Sequence, residues 1–170
     1  HLEERLDLLT LQSNQGEPAA ALYIDLDRFK PINDSQGHLV GDRVLAAAAR
    51  RIRKSLRSTD TVARIGGDEF LAIVEGVADR ASLAGIAEKI IEALSNPIAL
   101  EEGSFSLGVS IGIARTPEDT ADPRRMIILA DKAMYAVKQE RQGGYLFHED
   151  LPEDATFDEP DATVDGPRDS

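Results

Sequence analysis

Residues 64–71 read Arg-Ile-Gly-Gly-Asp-Glu-Phe-Leu, and the glycine pair separates two apolar runs. Paired glycines in that setting predict a hairpin, with strands over 61–65 and 69–75. A phosphate can approach such a turn closely, because no Cβ stands in its way. Asp68 and Glu69 follow at once on the outgoing strand. Adjacent carboxylates can hold a divalent cation beside that phosphate. Upstream, Leu22, Ile24 and Leu26 alternate with Tyr23, Asp25 and Asp27. That period of two predicts a strand over about 20–26 with both aspartates on one face. Taken alone, strand-face acids are usually only solvated. Two acidic strands, one of them leaving a Gly-Gly turn, point instead to a shared cation site. Close carboxylates repel one another without a cation, and oxygen-only ligands favour magnesium or manganese over zinc.

The rest of the chain supplies helices around these strands. A first helix is expected over 2–14, with Leu2, Leu6 and Leu9 near one face, ended by Gln15-Gly16-Glu17-Pro18. A short helix and a turn follow Lys30, then a long helix over 41–57 with Asp42 near its start. Asp79 is a suitable cap for a helix running to about Leu94. Strands are expected at 97–100 and 104–114. Asp122-Pro123 opens a helix to about Gln139, Gly143-Gly144 breaks it, and 145–147 form a closing strand. This order predicts an α/β (α+β) fold near the ferredoxin-like plan. Its mostly antiparallel sheet has helices packed on one face, and the acids and the turn lie on the open one.

Charge and composition narrow the partners. The 170 residues carry a net charge of −12, which argues against a nucleic-acid backbone as partner. Nine acids and one arginine lie between Glu149 and Ser170, so residues 149–170 read as an acidic tail or linker after a domain over 1–148. There is no cysteine, which excludes disulfides and thiolate metal sites and fits a cytoplasmic setting. No apolar run is long enough to cross a bilayer, although a parent protein could be membrane-tethered. Neither a GxGxxG fingerprint nor a GxxxxGK[ST] loop is present.

Six blocks in order carry a family resemblance. They are Asp-Leu-Asp-Arg-Phe-Lys (25–30), Ile-Asn-Asp (32–34), Gly-His-x-x-Gly-Asp (37–42), Gly-Gly-Asp-Glu-Phe (66–70), Ser-Ile-Gly-Ile-Ala (110–114) and Ala-Asp-x-Ala-Met-Tyr (130–135). From about Leu22 to Phe147 the chain resembles the GGDEF domain of diguanylate cyclases, whose fold is similar to nucleotidyl cyclases and polymerase palms. The resemblance implies an enzyme that condenses two GTP into cyclic di-GMP as a homodimer, using Mg2+ or Mn2+, under an upstream sensory domain. It implies metal ligation by Asp25, the Leu26 carbonyl and Asp68. Glu69 is then a second metal ligand or the group that helps deprotonate the attacking hydroxyl. Phe29, Lys30, Gly66, Gly67 and Lys138 are implied phosphate contacts, and Asn33 and Asp42 guanine contacts. For Asp42 the local alternative is a helix N-cap.

The resemblance has departures. Family members place an arginine where this chain has Gln142, and Arg141 falls one place early. Either Arg141 makes that substrate phosphate contact from a slightly different angle, or the contact is weakened. The family's opening Asp-x-Leu-Thr-Gly-Leu-x-Asn-Arg stretch is missing before His1, so the expectation is a domain without it. Arg57-Ser58-Thr59-Asp60 matches the RxxD motif of members inhibited by cyclic di-GMP, with Lys89 as a further contact. The local alternative is a helix-terminal cation and a turn acid. A non-catalytic GTP- or cyclic di-GMP-binding module that regulates an attached domain is the rival function. An adenylyl cyclase relative would lack the Asn33/Asp42 guanine pair.

Overall fold

In β1 (Ala19–Asp27) even-numbered and odd-numbered side chains are both buried, so this strand needs a core on each side. A computed structural model describes residues 3, 4, 7, 17–77, 79–140 and 143–152. On one face Ala20, Leu22, Ile24 and Leu26 join Phe70, Ala72, Val109, Ile111 and Ile113. Two helices cover that face: α2 (His38–Ser55), through Val44, Ala48 and Ile52, and α3 (Arg80–Ser95), through Leu83, Ala87 and Ile90. On the other face Ala19, Ala21, Leu71, Ile73 and Ala114 pack under Met126, Leu129 and Ala130 of α4 (Pro123–Glu140). The expectation that helices cover one face only is therefore corrected. The apolar half of the second face is short, and Tyr23, Asp25 and Asp27 dominate its pattern in the sequence.

The sheet order is β2 (Thr61–Arg64), β3 (Glu69–Glu75), β1, β6 (Gly108–Thr116), β7 (Gly144–Phe147). All neighbours are antiparallel except β6 and β7. β1 is central, which brings the end of its acidic face to the middle of the sheet. The sheet and flanking helices are the α/β arrangement expected from the sequence.

Gly112 explains how α4 comes so close. A Cβ there would lie 1.9 Å from the Ala130 carbonyl oxygen and 2.2 Å from the Met134 nitrogen. Helix backbone cannot yield as a side chain can, so overpacking is costly at this position. Gly112→Ala is expected to destabilise the domain by about 3 kcal/mol, read as a lower urea midpoint at constant slope.

Several boundaries differ from the sequence expectation. α2 begins at His38, with Gly37 as its N-cap, rather than near 41. Asp42 therefore lies inside the helix and does not cap it. The strand expected over 104–114 is two: β5 (Gly103–Phe105) pairs with β4 (Ile98–Leu100), and β6 joins the main sheet. Buried Leu107 anchors the crossing between them. Asp79 caps α3 as expected, accepting from Ser82 N at 2.8 Å. α4 opens at Pro123 as expected, and Asp122 also accepts there from Arg124 N at 2.9 Å. Most of the helix expected over 2–14 lies outside the described residues, but Glu3 and Asp7 are helical and both pair with Arg124 at 2.9 Å. At the other end Glu149 pairs with Arg80 and, at 2.7 Å, with Arg115. Residues 153–170 of the acidic tail lie outside the description.

Candidate active site

Register places the acids. Asp25 is the Cα partner of Glu69 across β1 and β3, so two carboxylates meet on the α4 face. The Leu26 amide donates to the Asp68 carbonyl at 3.1 Å and ties the glycine turn to the end of β1. From the other side Arg64 Nε donates to the carbonyls of Gly66 (3.1 Å) and Gly67 (3.0 Å). Just beyond Asp27, Arg28 takes φ +64°, a left-handed conformation that is unfavourable for a side-chain-bearing residue. That turn sends the chain out of the sheet and into α1 (Lys30–Gln36).

Asp25 is 4% exposed. Lys138, in the last turn of α4, brings Nζ to 2.6 Å from Asp25 Oδ1. The two form a close, partly buried ion pair. Burial pushes the Asp25 carboxyl up to about 6. Lys138 opposes that rise, and Asp68 and Glu69 add to it. Burial lowers the Lys138 ammonium, but the Asp25 pairing outweighs it and leaves the group above its ordinary value.

Tyr23 sits behind Glu69, with its hydroxyl 3.3 Å from Glu69 Oε2. Burial, then Asp131 and Glu69, hold that hydroxyl well above the usual tyrosine range. Asp131 is itself raised, by burial and by Glu69. Asp27 shares the face with Asp25 but is used differently: both its oxygens accept from Ser110 Oγ, at 3.0 and 3.1 Å. Sequence reasoning missed the support given by Tyr23, Ser110, Asp131 and Arg64. Ser110 lies 83 residues from Asp27, and only the strand register brings the two together.

Leu26, Asp27, Phe29, Lys30, Asp68 and Lys138 line one cavity of about 290 Å³. Asn33 on α1 lies over Gly41 of α2: a Cβ at 41 would be 1.7 Å from Asn33 Oδ1. Asp42 is exposed one residue further on. Arg141 lies outside the described residues. Most of the residues singled out from the sequence thus gather at the end of β1. The oxygen donors at this end of β1, the carboxylates of Asp25, Asp68 and Glu69 and nearby backbone carbonyls, are of the type a hard divalent cation takes, and Lys138 supplies the positive charge beside Asp25. Among the described residues no group of three or more His, Cys, Asp or Glu is arranged to hold a metal unaided.

Arg57, Asp60 and Lys89 line a separate cavity of about 390 Å³ between α2 and α3. Asp60 is 4% exposed and closes the turn after α2, with Oδ2 accepting from Arg57 N at 2.8 Å. The turn-acid role is therefore real. Asp60 Oδ1 still has no partner among the described residues.

Comparison with known proteins gives this arrangement its class. A family model described as diguanylate cyclase, GGDEF domain, matches residues 1–143. The chain belongs to that family. It is 46% identical over 132 residues to the diguanylate cyclase TpbB of Pseudomonas aeruginosa, covering 77% of this chain and 30% of TpbB. With the bifunctional diguanylate cyclase/cyclic di-GMP phosphodiesterase MucR of Pseudomonas aeruginosa it shares 39% over 149 residues, 87% of this chain and 22% of MucR. The chain thus spans under a third of the length of either relative. The crystal structure of the TpbB (YfiN) GGDEF domain superposes with TM-score 0.81 at 42% identity, covering 86% of this chain and 92% of that one. The GGDEF domain of DgcB from Caulobacter crescentus, solved in complex with c-di-GMP, superposes at 0.78 with 26% identity, covering 87% and 88%.

Proposed function

We propose that this domain is a diguanylate cyclase, condensing two GTP into cyclic di-GMP with release of two pyrophosphates. The observation that carries the reading is the buried Asp25 carboxylate, neutralised by Lys138, across from Glu69 and beside the glycine turn. Asp25, the Leu26 carbonyl and Asp68 would hold a divalent cation, with Glu69 a further ligand or the group nearest the attacking hydroxyl. When bound, Mg2+ or Mn2+ neutralises charge on the α-phosphoryl group and the leaving pyrophosphate.

The protein's own part is binding and orientation. Asn33 and Asp42 suit guanine: a carboxylate accepts from its N–H groups and an amide donates to its acceptors. Lys30 and Lys138 border the cavity that the triphosphate would fill. The 3′-oxygen of each GTP attacks the α-phosphorus of the other, in two such steps. In each, the bond from that phosphorus to the α,β-bridging oxygen breaks, one pyrophosphate departs, and the hydroxyl proton passes to Glu69 or to solvent. Each domain holds one GTP, so the reaction needs a homodimer with two substrates head to tail, where orientation supplies much of the rate. An upstream sensory domain would control that pairing.

The direct test is GTP with magnesium at high protein concentration, with products identified by mass and bound product first stripped by a phosphodiesterase. Cyclic di-GMP from the parent and none from Glu69→Ala supports the cyclase. GTP binding without product, even after forced dimerisation, leaves a regulatory nucleotide-binding module.

The Arg57–Asp60–Lys89 cavity is proposed as the product-inhibition site, in a position where cyclic di-GMP would cross-link domains. A guanidinium can bind phosphate or guanine through two parallel hydrogen bonds. Arg57→Ala is expected to weaken cyclic di-GMP binding about ten- to a hundredfold by calorimetry, the value of a lost charged hydrogen bond.

A further inference from the structure

Lys138 Nζ and a divalent cation have claims on the same atom, Asp25 Oδ1. The lysine lies 2.6 Å from it. The cation is the reading proposed above, and the inference rests on that reading. We propose that Lys138 competes with the metal for Asp25, and that the triphosphate draws the ammonium away, so that metal and nucleotide load together.

Three observations converge on this. First, Asp25 is 4% exposed, so a charge on it must be balanced locally. Lys138 does so as a close ion pair, and a doubly charged ion can supply the same balance in its place. An ammonium and a divalent ion cannot share one buried oxygen without strong mutual repulsion. Second, among the described residues no group of three or more acids or histidines stands ready to hold a metal. A site built from one or two carboxylates is completed by substrate phosphates, as is usual for magnesium. Third, the Lys138 side chain is 36% exposed and borders the cavity that also holds Lys30 and Asp68. Its ammonium can therefore leave Asp25 for a phosphate by side-chain rotation, with α4 fixed.

The coupling is reciprocal by linkage: the factor by which nucleotide tightens metal is the factor by which metal tightens nucleotide. Asp27 and Asp68 also face Lys138 and hold it in the region when it leaves Asp25. The lysine thus guards a desolvated carboxylate until substrate arrives, and the cation site is completed only around GTP.

The experiment measures Mn2+ binding to the 170-residue chain by the loss of the free-ion paramagnetic resonance signal, without nucleotide. It is done at pH 8, which keeps Asp25 ionised when its counter-ion is removed. Lys138→Met is expected to tighten Mn2+ about tenfold, within the usual range of coupling between sites. Lys138→Arg, which keeps the cation, should match the parent. With a non-hydrolysable GTP analogue, Mn2+ affinity should rise in the parent and rise about tenfold less in Lys138→Met. Unchanged or weaker Mn2+ binding by a Lys138→Met protein with native circular dichroism overturns the competition. Asp25→Asn separates the two ideas. If it binds Mn2+ like the parent, the metal site itself is misplaced and the competition falls with it. If it loses Mn2+ while Lys138→Met equals the parent, only the competition is wrong.

Discussion

Asp25→Asn is expected to lower cyclic di-GMP synthesis by about a thousandfold or more, because it would remove the buried charge proposed to hold the metal beside the reacting phosphoryl group. The same change should leave the free domain at least as stable at pH 8. Burial raises the Asp25 carboxyl from 3.8 to about 6, with Lys138 opposing and Asp68 and Glu69 adding. A carboxyl raised in the fold favours the protonated protein. Its stabilising contribution is complete below about pH 3.8 and is lost as pH rises through about 6. A rise of that size corresponds to about 3 kcal/mol of pH-dependent stability, which the asparagine variant should lack. Lys138 loses its partner in that variant, but its side chain is 36% exposed and water can solvate it. Urea midpoints between pH 4 and 8, without metal or nucleotide, measure the difference directly. Turnover runs the other way: only ionised Asp25 ligates a cation, so parent activity should fall as pH drops towards 6 and below. Metal and GTP move that midpoint downward by favouring the ionised form. A fold that is stabler without this charge and inactive without it would mark Asp25 as a group retained for chemistry.

Local patterns in the sequence were enough for the elements that carry the site. The alternation in β1, the Gly66-Gly67 turn, the Asp79 cap and the helix start at Asp122-Pro123 each depend on near neighbours, and each lies where expected. Long-range packing hid the rest. α4 covers the second face because Gly112 lets helix backbone approach, yet a glycine within a strand pattern looks only like a weak strand residue. The start of α2 was obscured by Gly37 and Gly41, which resemble two turn glycines. In the fold Gly41 is helical, and its bare Cα makes room for Asn33 and the Phe29 ring. The acids were legible as a group once two strands were paired. The supports were not: Lys138 meets Asp25, Tyr23 meets Glu69 and Ser110 meets Asp27 only through tertiary structure. Charges can be found by residue type, but what holds them in place depends on distant partners.

Gly66→Ala and Gly67→Ala should both impair the enzyme, and by different routes. A Cβ at 66 would lie 3.0 Å from Glu69 Oε2, the oxygen that also faces the Tyr23 hydroxyl. The carboxylate must therefore give by a few tenths of an ångström, and since misplacement at a reacting centre costs rate, a loss of about tenfold is expected. The expected result is a fall in kcat, with less change in KM for GTP. A Cβ at 67 meets nothing within 4 Å, and the residue is exposed without a left-handed φ. Nothing in the folded protein requires glycine there, so alanine should change stability by no more than about 0.5 kcal/mol. What remains is the ligand. If the triphosphate lies against the turn, the added methyl holds it off the backbone amides, and KM for GTP should rise about tenfold or more through lost charged hydrogen bonds. Steady-state kinetics of both variants, with urea midpoints alongside, separates the routes. Normal GTP kinetics in Gly67→Ala would mean that the phosphates do not touch this turn. The cation site would then need phosphate from the Lys30 side of the cavity alone.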